Sequence, residues 1–276
     1  YFCGGQAVEL VAGPETNFLP TADMLRPHIR NARLLSINTP LNPTGTVMSR
    51  GEVEAIATLV VEENERRADR GERPLFLMWD QVYWMLTFGD NKHYAPPQLV
   101  PESARYTIFV DGISKAFAAT GLRVGWAVAP AHITARMRDF LGHVGAWAPR
   151  PEQMAVAKFL GMPDEIEAFH AHMIRELRTR LDALYNGIEA MRRDGLPVEA
   201  IVPQGAIYLS ARFAIPSRTN EEIRRLLLDR AGFAVVPFQA FGSKKEDGWF
   251  RLSAGAVSVA EIESGLQRVR AVLSSL

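Results

Sequence analysis

The spacing of apolar residues divides the chain into two halves of different character. Residues 6–11 alternate apolar and polar as a strand does, and stop at the turn signal Gly13-Pro14. A short helical stretch over 21–31 precedes an apolar run, 33–38, read as a buried strand. Ser49 and Glu52 form a capping-box pattern that opens a helix through Val53, Ile56, Leu59 and Val60; its polar tail, 62–73, reads as a solvated helix end and loop. The continuous apolar run 75–79 is expected to be a strand covered on both faces, and 106–110 and 124–129 read as further strands. Pro130 opens a helix through Ile133, Met137 and Leu141, whereas 142–151 suits no regular element. A long helix over 164–192 is marked by Ile166, Phe169, Met173, Leu177, Leu181 and Leu184 at helical spacing. Beyond Gly195-Leu196-Pro197 come short strands at 198–202, 206–212, 234–236 and 249–253. Helices over 220–231, with Asn220 as cap, and over 258–273 complete a smaller α+β domain.

Composition narrows the function classes. Lys plus Arg and Asp plus Glu both number 31, so the formal charge is zero and no basic excess exists to bind nucleic acid. No apolar run reaches spanning length and no signal peptide opens the chain, so the expectation is a soluble, cytoplasmic protein without a membrane partner. The single cysteine, Cys3, excludes an intrachain disulfide and fits a reducing compartment. His143, His170 and His172 do not form a metal set: the last two are two apart and would not share a helix face, so no metal is expected. The chain contains no internal repeat.

The stretch most loaded with chemistry is 112–125, Gly-Ile-Ser-Lys-Ala-Phe-Ala-Ala-Thr-Gly-Leu-Arg-Val-Gly, read as leaving the C-terminal end of the strand 106–110. In open α/β sheets that end is where ligands bind. A lysine held there among small residues can approach another molecule closely and lose part of its solvation. A partly neutral amine attacks carbonyls to form a Schiff base. The Ser114 hydroxyl and the Arg123 guanidinium are donors suited to a phosphate.

The pattern of small, apolar, small, Lys115, then Arg123 followed by Val124-Gly125 resembles the pyridoxal-phosphate attachment signature of class I/II (fold type I) aminotransferases. Three further matches follow the family order. Asn42, in Asn42-Pro43-Thr44-Gly45, resembles the asparagine that bonds the cofactor's ring oxygen. Asp80, with Tyr83 three residues on, resembles the pyridinium partner and its tyrosine. Arg251, in Phe250-Arg251-Leu252-Ser253, resembles the arginine that holds the substrate's α-carboxylate. A fixed carboxylate at position 80 would keep the ring nitrogen protonated, as an electron sink requires.

The resemblance implies an α/β fold with a mostly parallel central sheet flanked by helices over 1–185 and a smaller C-terminal α+β domain over 186–276. It implies a homodimer using pyridoxal 5'-phosphate, moving an amino group between an α-amino acid and a 2-oxo acid through a Lys115 Schiff base. It also implies a cis peptide between Asn42 and Pro43, with Asn42 facing Asp80, Tyr83 and Lys115. The aspartate-specific branch has an arginine two residues before the tryptophan, where this chain has Gly145; Arg150 does not match that position. The chain opens on Tyr1 rather than methionine and is read as lacking the family's N-terminal portion. Other fold type I chemistry, such as decarboxylation or elimination, and the ligand-sensing domain of a transcription regulator remain open alternatives.

Overall fold

The computed structural model describes residues 4–276, so the reading of Cys3 lies outside the described residues. Two compact units emerge: one takes the chain up to Leu10, Leu19–Pro40 and Val47–His172, the other Val11–Phe18, Leu41–Thr46 and Met173–Leu276.

In the first unit, α1 (Ala22–Leu25) is a single turn ahead of Pro27, and β1 (Leu34–Asn38) leads through α2 (Arg50–Asp69) to β2 (Phe76–Asp80). The short α3 (Pro96–Leu99) and a 3-10 turn precede β3 (Thr107–Gly112). That strand runs straight into α4 (Ile113–Ala116), a single helical turn. β4 (Gly125–Val128), α5 (Ala131–Val144) and α6 (Arg150–Leu160) complete the unit together with the first part of α7 (Pro163–Arg193). The sheet order is β1-β2-β3-β4. The first three strands are parallel and β4 is antiparallel, with Asn38 opposite Asp80 and Asp80 opposite Val110. β2 is central, and Leu77 and Trp79 are fully buried.

Four expectations are corrected here. Residues 6–11 are no strand: Val8 and Val11 point to solvent, and the segment joins neither sheet. β1 is an edge, so Leu34 is exposed and Ile37 alone of the strand is buried. The loop expected to begin at Asp111 begins with two more residues of strand and a helical turn. The tail of α2 is not solvated. Glu63 and Arg67 are buried and joined, Nε to Oε1, at 2.7 Å. Arg67 also donates to the carbonyls of Ile29 (2.6 Å) and Ala32 (2.8 Å), at the start and just past the end of the preceding 3-10 turn. Hydrogen bonds from Arg66, joined by those from Arg67, hold the Glu63 carboxyl down at about 2. Asn64 bonds Leu75 through both its amide groups, splicing the helix to the start of β2.

The second unit is built on an antiparallel sheet. β5 (Val198–Ala200), β6 (Tyr208–Phe213), β7 (Val236–Pro237) and β8 (Trp249–Ser253) lie in the order β5-β6-β8-β7, with α8 (Asn220–Ala231) and α9 (Val259–Ser274). Capping boxes open α2 at Ser49, α8 at Thr219 and α9 at Ser258. Thr219, rather than Asn220, is therefore the cap of α8. Asn220 is buried and otherwise committed: its Oδ1 accepts from Gly248 N (2.8 Å) and its Nδ2 donates to Gln239 (2.9 Å).

Candidate functional site

The first unit gathers its ionisable side chains at the C-terminal ends of two adjacent parallel strands. Asp80 ends β2, and its Oδ1 accepts from Val82 N at 3.2 Å. Burial pushes the Asp80 carboxyl above its ordinary range, countered only by hydrogen bonds from Val82 and Asn38; no cation enters. Tyr83 is buried in the turn that follows. On the neighbouring strand Asp111 is also buried and accepts from Gly112 N at 2.7 Å. Burial raises this carboxyl too, and the Asp80 charge adds to the effect. A side-chain chain reaches it: His93 Nε2 donates to Gln81 Oε1 (3.4 Å), and Gln81 Nε2 to Asp111 Oδ2 (3.5 Å). Burial lowers His93 to about 4.

Three residues after β3 comes Lys115, half-buried in α4 beside Ser114. Gly112 and Gly125 face each other across β3 and β4. A Cβ on Gly112 would sit 3.0 Å from Val124 O, so any larger residue would push the strands apart by a few tenths of an ångström ahead of the lysine. Ser114 and Arg123, nine positions apart in sequence, belong to one hydrogen-bonded loop. Thr120 Oγ1 donates to Ser114 O (2.9 Å), and Arg123 Nη1 donates to Thr120 O (2.9 Å). Arg123 is exposed and takes a left-handed backbone, φ 56°. Thr120 was missed by sequence reasoning because a threonine in a turn carries no signal of its own.

The second unit holds Asn42 and Arg251. The peptides Asn42-Pro43 and Thr39-Pro40 are both cis; the first was expected, the second was not. The loop 41–46 is laced internally and to the segment before β6: Gly45 N donates to Leu41 O (2.8 Å), and Gly45 O accepts from Gln204 N (2.8 Å) and Gly205 N (2.9 Å). Gly45, at φ +72°, lies so close to the Tyr208 carbonyl that no side chain could be accommodated. The loop holds Asn42 where its Oδ1 accepts from Arg251 Nη1 at 3.0 Å, a pairing across 209 residues that no sequence pattern announced. The guanidinium lies over the rings of both Tyr208 (4.5 Å) and Phe241 (4.7 Å). Its Nε is buried without a hydrogen-bond partner among the described residues. A cation packed against two aromatic rings, with a donor left unspent, suits a planar anion. Sequence reasoning also missed Tyr208 and Phe241. Tyr208 is reached through the register, in which Arg251 opposes Ser210 and Tyr208 is the diagonal neighbour on the same face.

A mostly parallel sheet with helices, an antiparallel second sheet, and a lysine and a desolvated carboxylate at adjacent strand ends together define a fold type I α/β protein. The family model for aminotransferase class I and II matches residues 2–269, and the chain belongs to that family. It is 32% identical over 271 residues to an aspartate aminotransferase of Pyrococcus abyssi, covering 98% of this chain and 65% of that protein. To an aspartate/prephenate aminotransferase of Thermus thermophilus it is 32% identical over 277 residues, covering 99% of this chain and 65% of that protein. Among solved structures, an aromatic aminotransferase from Pyrococcus horikoshii superposes with a TM-score of 0.87 at 31% identity, covering 99% of this chain and 68% of that one. The chain thus spans about 65% of the length of the curated relatives it matches.

The family's cofactor is pyridoxal 5'-phosphate. The donor set of the first unit fits that group: a desolvated carboxylate without a cation for a protonated ring nitrogen, an amine for its aldehyde, and a hydroxyl and a guanidinium in one loop for its phosphate.

Proposed function

We propose that this chain is the lysine-bearing part of an aminotransferase that moves an amino group between an α-amino acid and a 2-oxo acid. The observation that carries the reading is the delivery of Asp80 and the Lys115 turn by adjacent parallel strands at their C-terminal ends. Bound there, pyridoxal phosphate would supply an electron sink for charge developing at the substrate's α-carbon. Lys115 would be the residue that anchors the cofactor, and its free Nζ would serve as the base that takes the substrate's α-proton and the acid that returns it. Asp80 would keep the ring nitrogen protonated through its fixed negative charge. Asn42 and Tyr83 would serve the ring oxygen, and Ser114 and Arg123 the phosphate. Arg251 binds the substrate carboxylate, and its orphaned Nε and its bond to Asn42 support that role.

Relatives named for aspartate, aromatic amino acids and prephenate make aspartate and the aromatic amino acids the first donors to try. Gly145 caps α5 in a left-handed conformation, φ 66°, where an arginine side chain would be strained. A simple dicarboxylate preference of the aspartate type is therefore not part of the proposal. We divide the function between a large cofactor-binding domain, 1–185, and a small domain, 186–276; the change from a mostly parallel to an antiparallel sheet supports this. A cytoplasmic homodimer completes the reading. Among the described residues no helix is long and apolar enough to cross a membrane, and Phe140, Val144, Trp147 and Met154 leave apolar surface exposed on and between α5 and α6.

Lys115→Ala in the complete protein should lower transamination by about a hundredfold or more and abolish the borohydride-reducible link to the cofactor. Full activity in that variant would remove the assignment.

A further inference from the structure

The turn that carries Lys115 ends on a carbonyl its own helix cannot satisfy. α4 is four residues long, so the Ala116 carbonyl has no amide ahead of it within the helix to accept from. Ala116 is also 1% exposed, which shuts out water. The partner comes from 54 residues further on: His170 Nε2, on the first part of α7, lies 2.7 Å from Ala116 O. Because a carbonyl only accepts, the imidazole donates. His170 is itself buried, and its ring packs on Phe117 at 4.8 Å between centroids; Phe159 and Phe169 contact the same phenyl ring at 5.5 and 6.4 Å. On the other side of the lysine, Ile113 N donates to Val124 O (3.3 Å), and the Ile113 side chain clusters with Val124 and Val156. Lys115 is thus pinned through its neighbours, by the sheet before it and by one histidine after it.

We propose that His170 is a positioning residue for Lys115. Its hydrogen bond to the Ala116 carbonyl fixes the orientation of α4 and with it the direction in which the amine leaves the backbone. The consequence for rate rests on Lys115 being the reactive amine, as proposed above; the anchoring of the turn does not. Small displacements of a reacting group cost much in rate, which is why one backbone hydrogen bond beside the lysine matters.

Two substitutions separate the hydrogen bond from the packing. His170→Phe keeps a ring against Phe117 and removes the donor; His170→Gln keeps an N–H donor within reach. In the complete, cofactor-free protein, hydrogen exchange at Phe117 and Ala119, whose amides donate to Ile113 O, should accelerate roughly tenfold in H170F and stay near wild type in H170Q. In the loaded enzyme, kcat should fall about ten- to a hundredfold in H170F with KM for the amino donor little changed, and H170Q should recover most of it. Unaltered exchange in H170F overturns the proposal. Equal impairment of H170F and H170Q does so as well, since packing alone would then explain the loss. If H170F does not fold, H170Q against His170→Asn, whose amide is too short to reach, makes the same comparison. Activity retained in Lys115→Ala would instead remove the functional reading, while the exchange measurement still decides whether His170 holds the turn.

Discussion

At the scale of single residues, Asp80 shows what a binding-ready site costs. Burial lifts its carboxyl above the usual range, and only Val82 and Asn38 compensate. A raised carboxylate pKa means that the folded protein binds a proton more tightly than the unfolded chain, so the ionised side chain opposes folding at neutral pH. Asp80→Asn should therefore raise the melting temperature of the cofactor-free protein by about 1–4 °C, as calorimetry would read, while transamination falls by about a hundredfold or more. A lower melting temperature would show that the carboxylate is structural. The residue types were readable along the chain: an aspartate after an apolar run, a lysine among small residues, an arginine near the end. Their environments were not. That Asp111 feels the Asp80 charge, or that Tyr208 and Phe241 both pack against Arg251, follows only from which elements the fold makes neighbours.

At the scale of elements, local chemistry explains where helices begin. Ser49 with Glu52 and Ser258 with Glu261 form the boxes their spacing announces. α8 offers two cap residues in a row, Thr219 and Asn220, and the tertiary structure chooses between them. Thr219 takes the cap, bonded to Glu222 N at 3.3 Å, because Asn220 is needed to tie Gly248 and Gln239 to the helix start. The two residues should accordingly differ in energetic weight. Thr219→Ala removes an exposed cap and should cost about 1 kcal/mol. Asn220→Ala leaves the Gly248 amide unsatisfied in the interior and should cost about 2–3 kcal/mol. Urea denaturation of both variants checks the order, and a Thr219 variant that is the more damaged would reverse the assignment. The same competition explains α2. The mixed charges of its last turns read as solvated, yet Arg67 reaches the backbone carbonyls of Ile29 and Ala32, Asn64 bonds Leu75, and Glu63 is drawn inward by its pairing with Arg67.

At the scale of the whole molecule, the exposed apolar side chains along α5 and α6 bear on assembly. Phe140 and Trp147 are 64% and 55% exposed, a cost that a second copy of the protein would relieve. Light scattering of the complete, cofactor-loaded protein should give the mass of two protomers, and Phe140→Asp with Trp147→Asp should shift it toward one; a fully active monomer would overturn the homodimer. By itself the sequence determined most of the succession of strands and helices, the capping box at Ser49, and the motif residues Asn42, Asp80, Lys115 and Arg251 that resemble the family. Each of these depends on periodicity or on neighbours within a few positions. The tertiary structure alone decided that β1 is an edge, that Arg67 is buried, that Asn42 meets Arg251, and that His170 completes the turn of Lys115. In each case what decides is a contact, or for β1 the lack of a strand on one side among the described residues, between groups tens to hundreds of residues apart, and no local pattern records which distant groups folding will bring together.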